Sequence, residues 1–338
     1  MRVLRVIALS LAGLGLAGSL SAQATWSVER TMHIGGPGGW DYVTVDAAHH
    51  RLFVTRSTHT QVIDTGSGKV LADIPGQIRS HGVAIVPDLH RGFITDGGGS
   101  GHIVVFDLKT YKVLGKLDTM PDSDGIVYDA GTNLILAVSG DGNALMTFHP
   151  HIDPNGKIDP PIQLGGSPEF LAANGQGKVF INLPDKNELA VVDLHSRKVI
   201  ARWPVAPGGE PVGLALDPET HRLFLGCRKP ARLIVMDSQN GDVLAALPIG
   251  EGDDAVKIDG AQAFASCRDG SLTVAGEKSG KWVVDQVVKT ASGARTMGID
   301  HRTHTIYLPT AEEVPSQAGN RRPEMKPDSF RIVVVKRQ

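Results

Sequence analysis

Short apolar runs of four or five residues, set off by polar turns, recur along this chain at a nearly constant spacing. Aligned on the first run, the units read WDYVTVDAAHHRLFVT from Trp40, SHGVAIVPDLHRGFIT from Ser80, SDGIVYDAGTNLILA from Ser123, PEFLAANGQGKVFIN from Pro168, PVGLALDPETHRLFLG from Pro211, DDAVKIDGAQAFAS from Asp253 and ARTMGIDHRTHTIYLP from Ala294. Their starts lie 40 to 45 residues apart. The fifth unit resolves into four strands: Gly213 to Leu216, Arg222 to Gly226, Leu233 to Asp237 and Val243 to Ile249. Between them, Asp217-Pro218 pre-sets a corner and Asn240-Gly241 supplies the positive φ of a tight hairpin. Consecutive rather than alternating apolar positions fit inner strands covered on both faces. A period of this length, with four short strands per unit, predicts an all-β, seven-bladed β-propeller of four-stranded blades. The last unit ends after its third strand, Arg331 to Val335, and Val28 to Ile34 near the other end can supply the fourth. The two ends of the domain are therefore expected to share one blade, clasping the ring by hydrogen bonds and leaving only short outer edges.

Units such as EPVGLALDPETHRLFLGCRKPARLIVMDSQNGDVLAALPIG resemble the bacterial YVTN-type β-propeller repeat, and the resemblance runs along essentially the whole chain after its first 24 residues. It implies the propeller fold and an exported protein. It does not choose an activity, because that family includes surface-layer, binding and redox-accessory proteins, while related propellers include lactonases and metal-dependent lyases.

The first residues agree with export. Arg2 and Arg5 precede an apolar stretch from Val6 to Leu20, followed by Ala22-Gln23-Ala24, a small-x-small cleavage pattern. Residues 1-24 are expected to be a signal peptide, leaving 25-338 as a single propeller domain in the periplasm or outside the cell. A membrane anchor is the alternative, but the run is short and glycine-rich, and no later segment approaches the 18 apolar residues of a span. With 34 Lys+Arg against 36 Asp+Glu the formal charge is -2. No basic field exists to hold nucleic acid, so none is expected as a partner. Two cysteines, Cys227 and Cys267, with no Cys-x-x-Cys-His, exclude covalent haem and a Cys₃ or Cys₄ zinc site. They end the second strands of neighbouring units, where Cα atoms are usually farther apart than the ~7 Å a bridge tolerates. Two free, partly buried thiols are expected, unless loops bring them together.

Candidate chemistry gathers at one face. The loops entering each first strand, and those joining strands two and three, emerge on the same side of a blade. Just before or at the start of the first strands stand Asp41, His81, Asp124, Glu169, Val212, Asp254 and Arg295, at the mouth of the central channel. The second-to-third loops add Arg56, His59, Asp96, Asp141, Arg228, Arg268 and Glu312. Asp41, His81, Asp124, Glu169, Asp254, Arg295, Arg56 and Arg228 are the candidate ligand-binding residues. Clustered carboxylates with an imidazole suit a divalent cation such as Ca²⁺, Mg²⁺ or Mn²⁺, held by Asp41, His81, Asp124, Glu169 and Asp254, or an acid and base whose pKa values repulsion splits. Equally, each acid can cap a turn by accepting backbone N–H bonds.

No catalytic motif is present: Gly66-Ser67-Gly68-Lys69 lacks the frame of a phosphate loop, the Gly97 to Gly101 run lacks Gly-x-Ser-x-Gly, and Asp153 to Gly156 lacks the distal Glu of a calcium loop. His50, His90, His221 and His304 recur in the first hairpin turn on the opposite face, and His149 belongs to a divergent turn. Residues 311-328 (AEEVPSQAGNRRPEMKPD) form a long insertion in the last unit, expected as a flap over the candidate face. The leading reading is a binding or accessory protein for a small molecule, ion or periplasmic protein. The alternatives are a metal-dependent lyase or lactone hydrolase with His81 or His59 as base, and an architectural surface protein.

Overall fold

A computed structural model describes residues 25–314 and 324–338. The expected signal peptide and the middle of the 311-328 insertion lie outside the described residues. Seven antiparallel four-stranded sheets form the blades of a propeller, and one extra hairpin, Glu313–Val314 with Glu324–Met325, stands on the insertion. We number the blades 1 to 7 in chain order. Their innermost strands are Val43–Asp46, Ser80–Val86, Ser123–Asp129, Leu171–Ala173, Pro211–Asp217, Asp253–Asp259 and Gly298–Asp300.

Burial explains the sequence pattern. Second strands such as Arg51–Thr55 in blade 1 are buried at every position, because a blade face meets a neighbour on either side. An outermost strand such as Lys198–Pro204 in blade 4 alternates exposed and half-buried. Seven apolar clusters follow, one between each pair of adjacent blades; Phe53 of blade 1 meets Phe106 of blade 2 with ring centroids 5.7 Å apart, and Phe93 of blade 2 meets Phe148 of blade 3 at 5.5 Å. The recurrent histidines His50, His90, His221 and His304 all have positive φ, between 49° and 57°. They close first hairpin turns, at a position where the left-handed conformation sets the residue choice.

Closure follows the expected route. Blade 7 is ordered, from the outside in, as Trp26–His33, Arg331–Arg337, Thr305–Thr310 and Gly298–Asp300. The outer strand starts at Trp26, two residues before the expected Val28, because the indole is an anchor. It is 2% exposed, stands edge-on to Phe264 of blade 6 at 4.7 Å, and donates from Nε1 to Gln262 Oε1 at 2.9 Å. Gln286 brackets the same residue, accepting from its backbone N–H and donating to its carbonyl. Cys227 and Cys267 are free and buried. Burial, aided by Asp253, pushes the Cys227 thiol up to about 12 and raises Cys267 as well, so neither is a ready nucleophile.

Candidate functional site

The ring of mouth residues is built by breaks in strand pairing. In blades 2, 3, 5 and 6 the register between first and second strands skips between Ser80 and Val83, Ser123 and Ile126, Pro211 and Leu214, and Asp253 and Ala255. His81, Asp124, Val212 and Asp254 fall in those skipped stretches, and Asp41, Glu169 and Arg295 precede the first paired residue of blades 1, 4 and 7. Irregularities of this kind re-aim side chains beside functional sites. A polar residue near the end of a second strand then pins the next blade's mouth residue through its carbonyl. Thr55 Oγ1 donates to His81 O at 2.7 Å, Thr95 Oγ1 to Asp124 O at 2.5 Å, Asn182 Nδ2 to Val212 O at 3.0 Å and Ser266 Oγ to Arg295 O at 2.5 Å. Thr296 Oγ1, next to the mouth residue of blade 7, donates to Asp41 O at 2.7 Å, so that five of the seven mouth residues are held through their carbonyls. The endings RLFVT, GFIT, VFIN and FAS carried this signal in the repeat, at the position where the other units vary.

Six of the seven mouth residues line one cavity of about 680 Å³; the seventh, Val212, is fully buried. Its floor is aromatic: Tyr42 of blade 1 and Phe170 of blade 4 meet across the axis with ring centroids 5.0 Å apart. On one side His81 Nδ1 hydrogen-bonds Asp41 Oδ2 at 2.6 Å, while Asp124 Oδ1 lies 3.6 Å from the same nitrogen. On the other, Asp254 is held by two guanidiniums, Arg295 through Nε at 2.5 Å and Arg228 through its terminal nitrogen. Arg79 pairs with Asp122 at the rim, and Arg268 meets Glu313 at 2.5 Å.

Protonation follows from this geometry. Burial works against the His81 charge, but Asp124 and the hydrogen-bonded Asp41 outweigh it and raise the imidazole to about 9. Burial pushes Asp124 well above the usual carboxylate range; His81 opposes that shift, and Glu169, Asp41 and Asp254 add to it. Glu169 rises to about 7 through burial and the nearby Asp254, with Arg228 pulling the other way. Burial disfavours the Arg228 and Arg295 charges, and Asp254 more than restores them. Tyr42 is raised by burial and then by the acids above it.

No family model and no curated protein matches this chain. Solved structures do. A chain of Kuenenia stuttgartiensis hydrazine synthase superposes with a TM-score of 0.70 at 12% identity, covering 81% of this chain and 93% of that one. A chain of the mitotic checkpoint complex gives 0.74 at 12% identity, covering 98% of both. What they share with it is the propeller fold, a common scaffold for binding.

Five candidate residues do not line the cavity. Arg56 is fully buried and spends its guanidinium on the carbonyls of Gly35, Gly36, Pro37, Gly38 and Gly39 and on Gln61 Oε1, over the Phe330 ring at 3.6 Å. It occupies the slot directly after the pinning residue, the slot filled by Cys227 and Cys267 in blades 5 and 6. Side chains alternate along a strand, so this slot faces inward, whereas Arg228 and Arg268, one residue further on, face the cavity. His59 lies outside the cavity lining, with Nε2 3.6 Å from Asp73. Asp96 behaves as a loop cap, accepting from the backbone N–H groups of Ile78 and Arg79. Asp141 is exposed, and Glu312 pairs with Lys326 and Arg331 while its neighbour Glu313 reaches the cavity. Glu313 and Met325, from the described ends of the insertion, both line the cavity wall. Tyr42, Arg79, Asp122 and Trp40 also line it, and no feature of the repeat alignment singled them out.

Proposed function

We propose that this chain is an exported, YVTN-type binding propeller that takes a small, positively charged ligand at the mouth of its channel. One observation carries the reading: Glu169 has no hydrogen-bond or ion-pair partner for its carboxylate among the described residues. The cavity holds the four ring acids, Asp41, Asp124, Glu169 and Asp254, while His81 and Arg295 of the ring, and Arg228 from the end of a neighbouring second strand, make their ion pairs with the other three acids. A desolvated, unpaired carboxylate favours a ligand that brings the missing charge, and the Tyr42 face beside it suits an organic cation. A cavity of about 680 Å³ is of the size that encloses small molecules. Calorimetric titration at pH 8 with choline, putrescine, Ca²⁺ and Mn²⁺ tests this. An organic cation should bind the native protein and lose at least about tenfold in affinity to Glu169→Gln, the scale of one charge-assisted contact. Equal binding by the two proteins, or no binding of any probe, overturns it. Export is tested separately, by N-terminal sequencing of secreted protein, which should begin at Thr25.

A second reading rests on Asp41, His81 and Asp124, whose ligand atoms lie within 4.8 Å of one another. Two carboxylates and an imidazole fit a divalent ion, which a lyase or lactone hydrolase would use to polarise a carbonyl. The imidazole would have to give up its proton first, so metal affinity should climb as pH approaches 9 and vanish in Asp41→Asn. Choline affinity without any metal affinity would leave only the first reading standing.

A further inference from the structure

Below the Tyr42–Phe170 floor the channel continues as a second cavity of about 270 Å³, walled by Ile85, Ile126, Leu214 and Val256. Lys257, on the innermost strand of blade 6, reaches into it and also lines a third cavity, of about 280 Å³, beside His301. Three residues after each mouth position the seven units place Thr44, Ala84, Val127, Ala172, Ala215, Lys257 and Gly298. Six blades therefore fill this tier of the wall with small side chains, and one fills it with an amine. That amine has no hydrogen bond and no counter-ion among the described residues; its neighbour is the face of Phe170, 5.1 Å from Nζ. An unpaired amine in an apolar hole costs stability that Ala or Val would not, and such violations of local preference mark functional positions.

We propose that Lys257 is a carbonyl-capturing residue, which forms an imine with a small aldehyde or ketone that enters the channel. The neutral Nζ attacks the carbonyl carbon, a C–N bond forms, and the carbonyl oxygen leaves as water with the two amine protons, with no net oxidation. Burial supports the chemistry by drawing the amine down to about 8, so that a large share is unprotonated in mildly basic water. A cavity of about 270 Å³ has room for a benzaldehyde-sized molecule.

The test is reductive trapping. Native protein is incubated with benzaldehyde and cyanoborohydride at pH 8, and the benzylated lysines are mapped by peptide mass spectrometry. Lys257 should be modified about tenfold faster than the exposed Lys69 and Lys109, because its larger free-amine fraction outweighs its lower basicity. Lys257→Met should lose the fast adduct while melting no lower than the native protein, since it removes an unpaired buried amine. Glu169→Gln should keep the adduct, which separates this proposal from the reading of the mouth. Labelling of Lys257 no faster than Lys69 and Lys109, or an undiminished fast adduct in Lys257→Met, overturns it; the mapping on native protein decides the matter even if the variant does not fold.

Discussion

Replacing Glu169 by glutamine keeps the shape of the side chain and removes its charge, and the structure sets both the size and the sign of the effect. Burial and Asp254, against Arg228, raise this carboxyl from 4.5 to about 7. A folded-state pKa above the unfolded one means that the proton is held more tightly in the fold. The stabilisation is therefore complete below pH 4.5 and lost as pH rises through 7, where the ring must carry an unpaired charge. Over that gap the linked free energy amounts to about 3 kcal/mol at most, and water in the open cavity brings the expected value nearer 2 kcal/mol. Glu169→Gln should thus match the native protein at pH 4 and exceed it at pH 8 by about 2 kcal/mol, or roughly 3 °C in melting temperature for a domain of this size. Calorimetric melts of both proteins at the two pH values provide the assay. A variant that is less stable at pH 8 would refute the argument by showing that Glu169 is already paired, and one that gains equally at both pH values would refute it by showing that the charge is not the source of the gain. If the prediction holds, the native chain retains a destabilising charge at its channel mouth, as expected of a residue kept for a ligand.

Two further changes probe the frame that holds the site. Arg56→Met empties the place of a guanidinium that serves five successive loop carbonyls, and should cost about 3 kcal/mol in urea unfolding while leaving the cavity acids in place; a loss below about 0.5 kcal/mol would show that water satisfies the loop equally well. Removing residues 25–33 strips blade 7 of its outer strand and of the buried Trp26, whose contribution alone is on the order of 5 kcal/mol, so the truncated chain should lose its cooperative unfolding transition, and an unchanged urea midpoint would show the clasp to be dispensable.

The fold was legible because its signal is repeated seven times, so that weak individual cues such as Asp217-Pro218 or Asn240-Gly241 reinforce one another. The mouth ring was legible for the same reason: Asp41, His81, Asp124, Glu169, Asp254 and Arg295 occupy one position of the repeat, and a propeller brings equivalent positions together at its axis. What the repeat could not supply was the direction of a side chain one residue away. Arg56 and Arg228 both stand at the end of a second strand, yet a single step in a period of two sends the first into the interior and the second into the cavity. Nor could it say which side chains touch across the axis. The Tyr42–Phe170 stack joins blades 1 and 4 across the axis, and the pairing of Arg228 and Arg295 on Asp254 joins three different strand contexts. Lys257 was visible in the alignment as the exception in its column, but only the walls of the channel give that exception a meaning.

The clasp in blade 7 also fixes an order of events. Within the other six blades, strands that pair are close in sequence and can form hairpins as soon as they are available. Trp26 and its partner Arg337 are separated by roughly 310 residues, a closure whose chain-entropy cost is about 5 kcal/mol. The strand synthesised first among those of the domain is thus the one that waits longest for its neighbour. Assembly of the ring should finish there, and its reopening should begin there, which makes the seam beside Trp26 the kinetic gate of the whole domain.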